Sequence, residues 1–247
     1  MSRKVVLLLV EVATEETVLS EYLDERFEKH QVHLDVQRGD ILAAWDKGKK
    51  TVNIKNKIGS IIKAYLTKSK IQSSDLLGVF QITDADGVFI PHEAIIVDST
   101  LRIDQPFYRE QSIIVKTLSK KSLIEQRNEF KSKNIKILST MDTFKINKVD
   151  VPYRMYYFST NIDHILWDER NAAKDQKVVE TDQFIETLNI SIEQFLWNYS
   201  VVSQEDMLES SYEKSWGKLT EGYSSLARIT NVPLLFDFVE GFDSQQH

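Results

Sequence analysis

The stretch LLGVFQITDADG, residues 76–87, joins an apolar run to a pair of acids. Its first part, residues 76–82, is largely apolar and includes β-branched and aromatic side chains, which is typical of a strand covered on both faces. Asp84 and Asp86 follow directly, and Gly87 ends the stretch. Strands of this kind occur in parallel sheets that have helices on both sides. The stretch therefore predicts a buried parallel strand with two carboxylates at its carboxyl end.

Strand-like and helix-like patterns alternate before this stretch. The apolar run at residues 5–10 predicts a first strand, and the alternation of apolar and polar residues at 32–36 predicts a second. Apolar residues at helical spacing lie between them, in residues 18–27, and again before the third strand, in residues 54–66. The resulting βαβαβ order predicts an α/β fold with a mostly parallel sheet flanked by helices.

The second half of the chain predicts an insertion, two strands and a helical region. Residues 88–116 contain two prolines and predict an irregular insertion beside the sheet's carboxyl edge. Short apolar runs at 135–138 and 154–158 predict two further strands. Apolar residues at helical spacing predict that residues 168–247 are mostly helical and pack on the core. We therefore expect a core over residues 1–167, followed by a helical C-terminal region.

Capping patterns predict where two of the helices begin. Thr14 is expected to cap the first helix, with Glu15 and Glu16 in its first turn, where carboxylates interact favourably with the helix dipole. Ser122 and Glu125 have the spacing of a capping box, which predicts that another helix begins there.

Composition and charge restrict the classes of function. The 247 residues include no cysteine, which excludes disulfides, thiolate metal sites and a cysteine nucleophile and suits a reducing cytosol. The first apolar run ends at Val10 without a cleavage site, and no stretch approaches the roughly 20 apolar residues of a membrane span. The net charge of -6 provides no chain-wide basic field for nucleic acid, although bound cations can neutralise a cluster of acids. We expect a soluble cytoplasmic protein with no membrane association.

Acidic residues follow two of the predicted parallel strands. Glu11 ends the first strand, and Asp84 and Asp86 end the third. Ligands of open parallel sheets collect beyond the carboxyl ends of the strands, and alternate residues of an extended segment point the same way. Carboxylates are the ligands that hard cations prefer, and such a cation activates water for phosphodiester cleavage. The pattern predicts a Mg²⁺ or Mn²⁺ site.

Three segments carry a resemblance to a known family. VEVATEE, residues 10–16, resembles the first Toprim motif in its OLD-type and RloB-like form, and TDADG, residues 83–87, resembles the second, with its paired aspartates. YFSTNIDH, residues 157–164, is similar to a later strand-end segment of RloB-like proteins. The resemblance covers roughly residues 4–167 and implies the Rossmann-like Toprim fold.

The resemblance implies a metal-dependent Toprim nuclease that cleaves DNA or RNA. Members of this family serve as effectors of bacterial anti-phage defence by abortive infection, often with an ABC-type ATPase as partner. The resemblance leaves open whether this chain forms a homo-oligomer. Glu11 is expected to bind metal or act as general base. Asp84 and Asp86 are expected to bind metal, Glu15 to complete the shell, and Asn161 and Asp163 to be additional candidates.

One departure from the family pattern supports an alternative function. Val12 stands where the family has glycine, which allows a tight turn and a close approach of the backbone to a ligand. Valine is stiff and bulky at that position. The alternative is a catalytically impaired interaction subunit that keeps the fold and works by binding a partner ATPase.

Other polar residues have both functional and structural interpretations. The Asp-x-Asp-Gly form also resembles the haloacid dehalogenase phosphatases, but those place the motif after their first strand. His164 is a candidate acid or base, although packing is the more common role of a lone histidine among apolar residues. Two basic segments are candidate phosphate contacts, although each is also typical of a solvated surface. The first segment contains Lys116, Lys120 and Lys121. The second contains Lys47, Lys49, Lys50, Lys55, Lys57, Lys63, Lys68 and Lys70.

Overall fold

A computed structural model describes residues 4–11, 13–28, 32–38, 41–42, 53–172, 177–204 and 207–241. The chain divides into two compact units. The first consists of Met1–Thr83 and Lys133–Tyr156, and the second of Asp84–Ser132 and Tyr157–His247. This division groups residues 84–132 with the C-terminal region, whereas the sequence analysis groups them with the core.

The described strands and helices follow one another in this order: β1 (Lys4–Val10), α1 (Ala13–Glu28), β2 (Val32–Arg38), α2 (Ile54–Ser69), β3 (Leu76–Asp84), β4 (Ile95–Val97), β5 (Phe107–Tyr108), β6 (Ile113–Val115), α3 (Leu118–Leu138), β7 (Thr143–Ile146), β8 (Val149–Phe158), α4 (Ile162–Trp167), α5 (Lys177–Thr187), α6 (Ile192–Trp197), α7 (Leu208–Leu219) and α8 (Pro233–Gly241). Short 3-10 turns occupy Ser73–Asp75, His92–Ala94 and Ser224–Leu226.

The first unit is built on a mostly parallel five-stranded sheet in the order β2-β1-β3-β8-β7. β1 pairs in parallel with both β2 and β3, which confirms the predicted βαβαβ arrangement, and β7 pairs antiparallel with β8. The interior strand β1 is buried over residues 5–10, as expected of a strand with both faces covered. Inside the sheet, the Tyr153 hydroxyl donates to Gln81 Oε1 at 2.8 Å, so these two buried polar groups satisfy each other.

Two helices of the first unit begin at or near the predicted positions. α1 begins at Ala13, so Thr14 lies within the helix rather than capping it, while Glu15 and Glu16 occupy the first turn as expected. α2 is capped by Asn53, whose side chain accepts a hydrogen bond from the backbone N–H of Lys55. The apolar stripe of α2 is buried, as its spacing predicts. Its members are Ile54, Ile58, Ile62, Tyr65 and Leu66.

α3 corrects two expectations. The helix begins at Leu118, so Ser122 and Glu125 lie inside it and do not form a capping box. Residues 135–138, predicted as a strand, are the last turn of the same helix. Ile135 and Leu138 are buried. A four-residue apolar run has the same composition whether it is a short strand or one buried helical turn, so periodicity alone does not distinguish them.

The second unit contains a small sheet in the region predicted to be an irregular insertion. Its strand order is β4-β6-β5, with β4 and β6 parallel and β5 and β6 antiparallel. A compact apolar cluster lies against this sheet and includes a residue from the C-terminal region. The cluster consists of Ile90, Ala94, Ile95, Ile113, Val115, Ile124 and Leu226. Residues 88–116 therefore contribute to a core.

The C-terminal region is mostly helical, as predicted, and packs on the last residues of β8 and the segment that follows them. The Thr230 hydroxyl donates to the Tyr157 carbonyl at 2.6 Å, and the Ser159 N–H donates to the Ile229 carbonyl at 3.0 Å. The Tyr157 ring lies 4.9 Å from that of Trp216 on α7. Among the described residues, no helix has the length and apolarity needed to cross a bilayer.

Candidate functional site

Glu11 directly follows β1 and is held by a residue of β3. The hydroxyl of Thr83 donates a hydrogen bond to the Glu11 carboxylate, and both residues belong to the first unit. Thr83 is fully buried, whereas Glu11 is half-buried. The next residue along the chain is Asp84, the last residue of β3. The hydrogen bond therefore orients Glu11 at the carboxyl end of β3.

Glu15 lies in the first turn of α1 and has no solvent exposure. Burying a carboxylate is costly unless it has hydrogen-bonding or charged partners. The positive end of the helix dipole at this turn favours a negative charge. The expected role of Glu15 in completing a metal shell stays a prediction.

Asp84 and Asp86 do not share an extended segment. β3 ends at Asp84, which is 9% exposed, and Asp86 has a positive φ of 52°. The strand alternation that predicted parallel carboxylates therefore stops at Asp84. The N–H of Ala85 donates to the Phe158 carbonyl at 2.8 Å, and that of Asp86 donates to the Thr160 carbonyl at 3.0 Å. These bonds fix the turn to the segment that follows β8.

Two basic residues of α3 hold Asp86. Lys131 Nζ lies 2.7 Å from Asp86 Oδ2 and has no solvent exposure. Arg127 Nη2 donates to the Asp86 carbonyl at 3.0 Å, and its Nη1 donates to the Tyr108 hydroxyl, also at 3.0 Å. Burial raises the pKa of Tyr108. The Asp86 charge is therefore compensated by a buried lysine.

Sequence reasoning missed Arg127 and Lys131. Both lie in a helix whose composition is strongly polar, and neither belongs to a recognisable motif. The available signal is their i, i+4 spacing, which puts two cations on one face of a helix. That spacing does not indicate which acid they contact 41 and 45 positions earlier in the chain.

The strand-end segment 157–164 is held by local hydrogen bonds. The Asn161 side chain caps α4 by accepting from the His164 N–H at 2.9 Å, and its Nδ2 donates to the Arg170 carbonyl at 3.0 Å. Asp163 and His164 are both fully buried. Burial and the nearby Arg170 lower the pKa of His164 to about 4. At neutral pH the imidazole is uncharged, which does not suit an acid or base working near pH 7.

The basic residues before and within α3 form surface ion pairs. Lys120 Nζ lies 2.9 Å from Asp104 Oδ2, and Lys121 Nζ lies 3.9 Å from Glu125 Oε1. The Lys120 ammonium lowers the pKa of Asp104, and Lys116 adds to the effect. These contacts match a solvated basic surface. Lys47, Lys49 and Lys50 lie outside the described residues, as does Val12.

Neither a pre-formed cluster of metal-ligating side chains nor a similar known protein identifies the site. Within the described part of the chain, no three His, Asp or Glu side chains are grouped so that they could hold a metal ion. No protein-family model, curated protein or solved structure matches the chain. Individual side chains at the strand ends are therefore the features that bear on function.

Proposed function

We propose that the chain is a Toprim-type nuclease that cleaves DNA or RNA with the help of Mg²⁺ or Mn²⁺. The observation that carries the proposal is the hydrogen bond from Thr83 to Glu11. This bond orients the half-exposed carboxylate of Glu11, at the end of β1, beside Thr83, which is the residue before Asp84. Strand ends of this kind are the usual location of ligand sites in parallel sheets.

The donor set fits a cation that binds together with its substrate. Magnesium retains several waters and is commonly bound by one or two carboxylates plus substrate phosphates, rather than by a cage of protein ligands. Glu11 and Asp84 are the two carboxylates that we assign to it. Asp86 is ion-paired with Lys131, and we assign it the role of fixing the turn.

The reaction class is hydrolysis of a phosphodiester. A bound cation supplies charge stabilisation at the phosphate and lowers the pKa of water. Glu11 accepts the proton of the attacking water, whose oxygen forms the new bond to phosphorus. The opposite ester bond breaks, and its oxygen takes a proton from solvent, leaving a phosphate monoester and a free hydroxyl. Asp84 would hold the cation, which would supply charge stabilisation at the phosphate.

A cleavage assay with the full chain tests this proposal. Labelled DNA and RNA are incubated with Mg²⁺ or Mn²⁺, and the wild type is compared with Glu11→Gln and Asp84→Asn. We expect at least a hundredfold loss of rate in each variant, because each removes one carboxylate while keeping the side-chain shape. Asp104→Asn is the control, because its carboxylate pairs with Lys120 at the surface and belongs to no proposed site. Equal rates in Glu11→Gln and wild type would reject the proposal.

The second candidate is an interaction subunit without turnover. It is favoured by the ion pair between Asp86 and fully buried Lys131, because a fixed ammonium group already compensates one of the motif's acids. Val12 in place of the family's glycine points the same way. No cleavage of DNA or RNA and no metal binding would support this candidate. Restored cleavage in Val12→Gly would attribute the loss to the turn.

The cellular role follows from the family resemblance. We propose that the protein is a cytoplasmic effector of anti-phage defence by abortive infection, with an ABC-type ATPase as its partner. Co-purification of the tagged chain with an ATPase from its native host tests the partnership. Recovery of the chain without any ATPase would reject it.

A further inference from the structure

A groove with polar and apolar walls lies between α2 and β7 in the first unit. Its volume is about 520 Å³, and its polar walls come from Lys55, Ser60 and Lys63 of α2 on one side and Thr143 and Lys145 of β7 on the other. Apolar surface is added by Met141, Phe144 and Ile146. Gly59 also faces it, and no atom lies within 4 Å of where a Cβ would be. The groove is therefore open along the helix, with ammonium and hydroxyl groups available to a ligand.

The three lysines of the α2–β7 groove carry their positive charges at the surface. Lys55, Lys63 and Lys145 are all exposed. Among the described residues none of the three has an ion-pair partner, whereas Lys120, Lys121 and Lys131 each contact an acid. Asp150 lies opposite Lys145 in the β7–β8 ladder, without an ion pair between them. The groove therefore has a net positive charge in a chain whose formal charge is -6.

The surrounding sequence strengthens this charge. Residues 47–74 contain eight lysines and no Asp or Glu. Lys55 lies in the first turn of the 16-residue helix α2, where the positive end of the helix dipole adds to the ammonium charge. A local field of this kind attracts anions even when the whole protein is acidic.

The shape and chemistry of the groove favour a polymeric anion over a small metabolite. Small-molecule sites are mostly apolar and enclose their ligand, whereas this groove is open and its cations are on flexible side chains. Eight residues of helix separate Lys55 from Lys63, a rise of about 12 Å, which corresponds to about three successive phosphates on one nucleic-acid strand. Lysines and hydroxyls contact phosphates without reading sequence.

An anionic membrane fits the groove less well. Stable binding at a bilayer interface uses an apolar face beside the basic one. The exposed large apolar residues of the described chain all belong to the second unit. They are Ile96, Ile103, Leu118, Ile190, Met207 and Tyr223.

We propose that the α2–β7 groove binds the phosphodiester backbone of a nucleic-acid strand. This inference deepens the proposed function by assigning a docking surface for the substrate, and it rests on that function only for the choice of nucleic acid as the polyanion. Lys55, Lys63 and Lys145 each contact a phosphate, and Ser60 and Thr143 donate hydrogen bonds. Binding is independent of sequence and falls steeply with salt.

The test measures binding without turnover. Fluorescence anisotropy of a labelled single-stranded oligonucleotide is recorded with the full chain in EDTA over a range of salt concentrations. The groove variant is Lys55→Gln/Lys63→Gln/Lys145→Gln. The matched control is Lys133→Gln/Lys214→Gln/Lys218→Gln, which removes three exposed lysines outside the groove and outside the basic segments and changes the net charge equally. Acetylation of lysines, with and without oligonucleotide, gives an independent readout of contact.

We expect the groove variant to bind about tenfold more weakly and to reduce the salt slope by about 2, because three phosphate contacts are lost. The control should bind as the wild type does, and the oligonucleotide should protect Lys55 and Lys63 but not Lys133 from acetylation. Equal losses in both triple variants would overturn the proposal, and so would the absence of oligonucleotide binding by the wild type. Groove-dependent binding only to vesicles with phosphatidylserine would assign a membrane instead.

The outcomes separate this inference from the nuclease proposal. Groove-dependent binding in EDTA without cleavage by any divalent metal would retain the groove and reject the nuclease. Cleavage that depends on Glu11, with unchanged binding by the groove variant, would retain the nuclease and reject the groove.

Discussion

Lys131 carries its charge in a position with no solvent exposure, and its ammonium group contacts the partly exposed carboxylate of Asp86. Removing one partner of a buried ion pair leaves an uncompensated charge, which costs more than the pair contributes. The Asp86 backbone lies in the left-handed region, which asparagine tolerates nearly as well as aspartate does. Asp86→Asn therefore changes the charge and leaves the backbone preference in place.

We expect Asp86→Asn to lower the free energy of unfolding by about 3 kcal/mol. Urea denaturation measures the change. The matched control is Asp104→Asn, which removes the carboxylate of the surface pair with Lys120 and should cost under about 0.5 kcal/mol. Similar losses in the two variants would mean that Lys131 does not depend on Asp86 for its charge compensation.

At the scale of elements, the turn after β3 determines where that strand's acids lie. Gly87 has a φ of 67°, and a Cβ there would lie 2.5 Å from Leu226 Cδ2. The turn therefore needs glycine for two reasons, the backbone conformation and the close approach of Leu226. Leu226 also belongs to the apolar cluster of the second unit, so the turn and that cluster are coupled.

We expect Gly87→Ala to destabilise the protein by about 3 kcal/mol, the sum of backbone strain and overpacking. Gly222→Ala separates the two causes, because Gly222 also has a positive φ but no atom lies within 4 Å of its added Cβ. That variant should lose only about 1 kcal/mol. Thermal unfolding of both variants checks the difference, and equal losses would contradict the clash with Leu226.

The elements that the sequence predicts correctly are those with a long apolar run or a long periodic pattern. β1 and β3 are long apolar runs, while α1, β2 and α2 carry a clear period, and the predicted parallel arrangement is confirmed. The strands β4, β5 and β6 have only two or three residues each, too few for a period to show. Residues 135–138 were wrongly predicted as a strand because a short apolar run fits both structures.

The candidate site was predictable only in part, because sequence patterns are local and some of its contacts are not. Glu11 and Asp84 were found because strand ends are visible in the local pattern. The ion pair of Lys131 with Asp86 joins residues 45 positions apart, and no local pattern encodes such a contact. The positive φ of Asp86, which ends the strand alternation, likewise depends on hydrogen bonds to residues after β8.

For the molecule as a whole, His164 links stability to pH. Burial and then Arg170 and Arg228 lower its pKa to about 4, while Asp168 opposes the shift. Between that value and the ordinary value near 6.5, the unfolded chain binds a proton that the folded chain does not. The contribution of neutral His164 to the stability of the folded state is therefore fully present above about pH 6.5. It is lost as the pH falls toward about 4.

We expect acidification over that window to lower the free energy of unfolding by up to about 3 kcal/mol through His164. His164→Gln should remove this contribution, so the difference in stability between wild type and variant should shrink or reverse as the pH falls. Urea denaturation from neutral to mildly acidic pH measures both. Parallel curves for the two proteins would show that His164 does not titrate with the shifted pKa.

The central claim is that the carboxylates of Glu11 and Asp84 hold one divalent cation together with a substrate phosphate. Anomalous diffraction from crystals of the full chain soaked with Mn²⁺ and a short oligonucleotide tests it most directly. We predict a manganese peak at coordinating distance, about 2.0–2.3 Å, from an oxygen of each carboxylate. The same soak with Glu11→Gln should lose that peak. Manganese bound elsewhere, or Glu11 and Asp84 without a shared peak, would contradict the claim.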